Sequence, residues 1–212
     1  GILLFALTIT FCSIVWFMSL TTHWFSTMFG VYFFAGSTVA ALALTIILFA
    51  ILKKNGLLKN IVSVEHFHDL GKLLYGFNVF WAYIAFCQYF LIWYANIPEE
   101  TEFFIHHFTG TWKSVGIVLA VGHFAIPFVL FMSRHVKRNI KLNVFFSSWL
   151  LIMHFLDLYW LIMPTYDHHG IHASAVDFLI FIALGCFYFA SILRLADKKS
   201  LFPVQDPRLK ES

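Results

Sequence analysis

His154 and Asp157 stand three residues apart inside the run LNVFFSSWLLIMHFLDLYWLIMP, residues 142 to 164. A buried carboxyl beside an imidazole makes a pair able to exchange a proton near neutral pH. The run is also long and apolar enough to cross a bilayer as a helix, since about 20 such residues span the ~30 Å hydrocarbon core. An ionisable Asp inside such a helix costs roughly 2.5 to 3.5 kcal/mol, so it turns to a protein interior or a wet cavity and takes a partner. Positions i and i+3 share a helix face, which points both side chains the same way. The spacing predicts a proton-handling pair. The alternative is structural: Asp157 tied to a neighbouring Tyr, Trp or His, and His154 in an interhelical hydrogen bond.

The elements that must position this pair follow from composition. Hydrophobic residues make up 60% of the chain, charged residues 12%, and 27 of the 212 residues are Phe, which excludes an ordinary soluble domain. The expected fold is all-α, a polytopic transmembrane helical bundle with six spans at about 1–20, 28–52, 70–95, 113–133, 142–163 and 175–195. These form one transmembrane domain over 1–195, followed by a polar tail at 196–212. Lys53-Lys54-Asn55-Gly56 ends the second span by charge and glycine, and Pro98 closes the third. The apolar opening lacks a basic n-region and a cleavage site, so it reads as part of a longer chain and not as a signal peptide. Cys12, Cys87 and Cys186 are isolated, and their spacing matches no zinc, iron–sulfur or covalent haem motif.

Charge placement tests the six-span parse. With alternating spans, 13 of the 14 Lys and Arg residues fall on one side and only Lys113 on the other. The positive-inside rule makes the basic side cytoplasmic, with the tail on it. The opposite face carries Glu99, Glu100, Glu102, His106, His107 and Asp167 together with His168, His169 and His172. It suits the docking of a soluble partner. The three clustered histidines of residues 168–172 lack the carboxylate or cysteine set that would complete a metal site, so a partner-facing loop is expected.

Further polar groups extend the candidate route. At ~1.5 Å per residue, Asp157 lies about 9 Å, His154 about 14 Å and His123 of the fourth span about 15 Å from the acidic ends of their helices. On the third span Tyr75, Asn78, Ala82, Ala85 and Tyr89 recur at helical spacing as a partly polar, partly small face. With Ser37, Thr45, Gln88, Ser147, Ser148, Tyr188 and Ser191 they outline a discontinuous polar path from Asp69 and Lys72 to Asp157. Asp177 is either part of that path or the end of a helix cap, Ser174-Ala175-Val176-Asp177. Glu65, His66, His68 and Asp69 are either a proton-collecting surface or a helix start with Asp69 as N-cap.

The stretch HDLGKLLYGFNVFWAYIAFCQYFLIWYANIPEET, from His68 to Thr101, resembles the membrane subunits of the NrfD/PsrC type. The resemblance is strongest to the second of the two such subunits of bacterial alternative complex III, the ActF type. HFLDLYWLIMP at 154–164 and the tail LFPVQDPRLKES support it, and it covers most of the chain. It implies the C-terminal part of a subunit built on two four-helix bundles, with spans two to five as the second bundle, in the bacterial cytoplasmic (inner) membrane. It further implies a complex that oxidises quinol on behalf of a cytochrome or an oxidase, with this subunit contributing to proton translocation. Expected partners are membrane lipids, a second NrfD-like subunit, an iron–sulfur subunit and cytochrome subunits. Iron–sulfur clusters and haems belong on those partners, no cofactor is expected in this chain beyond menaquinol or ubiquinol, and no nucleic acid is expected. The resemblance marks Asp69, Lys72, His154 and Asp157 for testing. Three alternatives stay open: a quinol pocket at His154 and Asp157, a b-type haem with His123 and His154 as axial ligands, and a scaffold.

Overall fold

The computed structural model describes residues 1–21, 24–58, 61–167 and 174–196. His168, His169, His172 and the tail beyond 196 lie outside the described residues. In chain order the helices are α1 (Ile2–Leu20), α2 (Phe29–Lys54), α3 (Val64–Ala95), the short α4 (Pro98–His107), α5 (Trp112–Met132), the single turn α6 (Arg134–Arg138), α7 (Ile140–Thr165) and α8 (Ala175–Leu195). Six of them are long and apolar enough to cross a membrane, and there is no strand among the described residues. The protein is a polytopic helical membrane bundle.

The helix ends carry local causes. α2 stops at Asn55 and Gly56, the latter in the left-handed region at φ +84° that glycine enters without steric cost. α3 begins at Val64, earlier than the expected 70. Ser63 is its N-cap, and the His66 Nδ1 accepts from the Ser63 backbone N–H at 3.0 Å. Asp69 is therefore not the N-cap and sits in the second turn. The acidic run after Pro98, expected as a loop, is α4. Proline occupies its first turn with Glu99 and Glu100, whose charges suit the positive end of the helix dipole, and His106 and His107 occupy its last. The basic joint between α5 and α7 likewise folds into α6. Asn139 then caps α7, its Oδ1 accepting from the backbone N–H groups of Lys141 at 3.1 Å and Leu142 at 3.3 Å.

α2, α3, α5 and α7 close into a four-helix ring, with α2 packed on α3 and α7 and α5 completing the circle between those two. α1 lies along α2, where Gly30 faces Thr10. At the basic end Glu65 of α3 pairs with Arg138 of α6, and the buried Asn143 amide donates to the carbonyls of Phe67 at 2.9 Å and Lys137 at 3.2 Å. At the acidic end Trp112, Val115 and Leu119 of α5 pack on Leu156, Trp160 and Met163 of α7. α8 belongs to a second compact unit. Its start is capped reciprocally: Ser174 Oγ accepts from the Val176 N–H at 3.2 Å, and Asp177 Oδ2 accepts from the Ser174 N–H at 3.0 Å. The Asp177 side chain is thus engaged in holding a helix terminus.

Candidate functional site

α7 turns Asn143, Ser147, Leu150, Met153, Asp157 and Leu161 toward the ring interior. Asp157 is 2% exposed. Its Oδ1 accepts a hydrogen bond from the Tyr32 hydroxyl of α2, and its Oδ2 lies 4.0 Å from His154 Nδ1. The second separation is beyond hydrogen-bond range. The two carboxylate oxygens thus address two different neighbours, one already bonded and one held just out of reach.

α2 is shaped to receive this pair. Tyr32 and Gly36 stand one turn apart on one face, Tyr32 bonding Asp157 and Gly36 receiving His154. A Cβ at position 36 would meet His154 Cε1 at 2.8 Å, Nδ1 at 3.2 Å and Trp81 Cδ1 at 3.4 Å. Only a bare backbone lets the imidazole sit where it does.

His123 is placed by an irregular stretch of α5. Residues Ala120–Ala125 form a π turn just before Pro127. Proline has no N–H, so it cannot serve the His123 carbonyl in the α register or the Gly122 carbonyl in the π register. Both carbonyls are served by neighbouring helices: Asn78 Nδ2 of α3 donates to His123 O at 3.0 Å, and Trp149 Nε1 of α7 donates to Gly122 O at 2.7 Å. The His123 ring stacks on Trp81 with centroids 3.8 Å apart, and its centroid lies 6.5 Å from that of His154. Both His123 ring nitrogens and His154 Nδ1 are buried with no protein hydrogen-bond partner. Unpaired polar groups of this kind are costly in a bundle interior, which makes the cluster the candidate site.

A cavity of about 500 Å³ opens between α3, α4 and α5. Its wall is mostly aromatic, and Tyr32, Trp81, Gln88 and Asp157 are among its polar groups. Gln88 is buried, with Oε1 unpaired. Exposed Tyr83 and Phe86, midway along α3, place the mouth sideways, toward lipid. His123 and His154 are not part of its lining.

The structure brings together His154, Asp157, His123 and Asn78, the last through its bond to the His123 carbonyl. Others stand apart. Asp69 and Lys72 pair with each other at 2.7 Å on the exposed side of α3, and Tyr75 stacks on Phe128 with the Lys137 ammonium over its ring. The inward stripe of α3 runs through Gly71, Leu74, Asn78, Trp81 and Gln88, displaced from the expected Tyr75–Tyr89 face. Ala82 and Ala85 border the cavity, and Tyr89 is exposed beside Phe104. Along α7 the path from Ser147 to His154 is interrupted by Leu150, which is fully buried. Sequence reasoning missed Tyr32, Gly36 and Trp81. The sequence of α2 did not single out the first two, since the same span also carries Gly30, Ser37, Thr38 and Thr45. Neither a protein-family model nor a curated protein matches the chain.

Proposed function

We propose that this chain is a proton-transferring membrane subunit of a quinol-oxidising respiratory complex of the alternative complex III type, seated in a bacterial cytoplasmic membrane with its basic loops and tail inside. The observation that carries the proposal is the buried Asp157 carboxyl between Tyr32 and His154, with His123 beyond. Groups that gain and lose protons are costly in a membrane interior, and their grouping in one bundle supports a relay. Redox centres sit on partner subunits in this reading. Asp157→Asn keeps size and hydrogen-bonding capacity but removes the exchangeable acid. In liposomes the assembled complex carrying it oxidises quinol with a reduced proton yield; unchanged turnover and unchanged yield would remove the proposal.

The cavity favours a second reading, a quinol pocket whose head group meets Asp157, Tyr32, Trp81 and Gln88. Apolar pockets with a few convergent polar groups are the usual form of such sites. Ala82→Phe, which fills the cavity, separates the two. It stops quinol oxidation if the substrate binds here, and leaves it intact if Asp157 only carries protons.

A further inference from the structure

We propose that the ring of Phe103 is a removable barrier between the Asp157 cavity and a polar pocket at the acidic end of the bundle, and that this pocket is the aqueous access point to the carboxyl. The inference rests on Asp157 being an exchangeable group, as proposed above. The second pocket, about 160 Å³, is bordered by Thr21 and Trp24 after α1, by Glu102, His106 and His107 of α4, and by Thr165. Phe103 borders both spaces, and no other described residue does.

The ring is held as a plug. It is 4% exposed and lies between the Trp24 indole, with centroids 4.0 Å apart, and the His107 imidazole, 3.8 Å away. The same imidazole fixes the backbone beneath the ring, since His107 Nδ1 donates to the Phe103 carbonyl at 2.7 Å. Beyond the plug the chemistry turns polar. The buried Trp24 Nε1 has no protein partner, the Thr21 and Thr165 hydroxyls lie 3.4 Å apart, and Glu102 stands 3.6 Å from His106.

Apolar side chains flank the other approaches to Asp157. Rings of Phe86 and Phe124 line the sideways mouth, and Leu150 and Met153 are buried in the bundle on the basic side. A single aromatic side chain at the acidic end thus stands between the two spaces.

Carbodiimide labelling of the whole complex in sealed membrane vesicles tests this, with Asp157 modification read by peptide mass mapping and Asp157→Asn as the blank. In the wild type an apolar carbodiimide labels Asp157 through the lipid-facing mouth, and a water-soluble one applied to the acidic face labels it slowly. In Phe103→Ala, water-soluble labelling from the acidic face rises on the order of tenfold, because local opening is no longer needed. Labelling from the basic face stays unchanged. Phe103→Leu keeps an apolar contact for α4 and gives a smaller rise, which guards against misfolding of the alanine variant. No rise in either variant, with the apolar reagent still labelling both, overturns the barrier, as does faster labelling from the basic face. A rise in labelling combined with a wild-type proton yield in Asp157→Asn supports the access route while removing the proton-transfer reading.

Discussion

Gly36→Ala tests the geometry of the site with one added methyl. The new Cβ would sit 2.8 Å from His154 Cε1, where ordinary contact begins at 3.4 Å. The imidazole must retreat by about 0.6 Å, or α2 and α7 must part by as much, and overpacking of this kind typically costs about 1–3 kcal/mol. Denaturant titration in detergent measures that cost. The decisive comparison is a double-mutant cycle with His154→Ala. Removing the ring removes the obstacle, so Gly36→Ala in that background costs less than about 0.5 kcal/mol, giving a coupling energy as large as the single-mutant cost. Gly76→Ala serves as the control: nothing lies within 4 Å of its Cβ, and alanine there stabilises the helix by about 0.5–1 kcal/mol. An equal cost for Gly36→Ala with and without the His154 ring would refute the claim that this glycine exists to admit the imidazole.

Three further outcomes are expected. Asn78→Ala leaves the His123 carbonyl unpaired and costs about 1–3 kcal/mol; the cost falls in a Pro127→Ala background, where the restored N–H serves that carbonyl, and unfolding titrations of the four proteins check it. His107 contacts the carbonyls of Phe103 at 2.7 Å and Leu161 at 3.3 Å, and burial pushes its pKa down to about 4. Because the undocked ring takes up a proton near pH 6.5 and the docked ring resists doing so, docking of α4 is unaffected above that pH and loses on the order of 3 kcal/mol as pH falls from 6.5 to 4. Hydrogen exchange in α4 reports the change, and His107→Gln removes it. On the proposed orientation, a cysteine at Thr109 is labelled by an impermeant reagent from outside the cell and one at Asn139 is protected, as the positive-inside rule requires; the opposite pattern reverses the orientation.

What sequence alone determined is what local periodicity and solvent preference control. The six spans emerge from length and apolarity, and residues 142–164 stand out because an ionisable Asp inside such a run has nowhere to go but inward. The i, i+3 rule placed His154 and Asp157 on one face, and the two side chains do approach each other. Pro127 carried the seed of the π turn, although it gave no clue to which neighbours would serve the freed carbonyls. Tertiary packing decided the rest. α2 is apolar almost all round, so no pattern in it reveals which face meets α7; only docking makes Tyr32 the partner of Asp157 and Gly36 the seat of His154. The stripe of α3 was misplaced for the same reason, because Tyr75 and Trp81 flank Asn78 at equally plausible spacings, and the volume of the Trp81 ring, stacked on His123, settles which side faces in. Asp69 and Lys72, close enough in sequence to satisfy each other, do so on the surface and leave the interior to groups that can find partners only across the bundle.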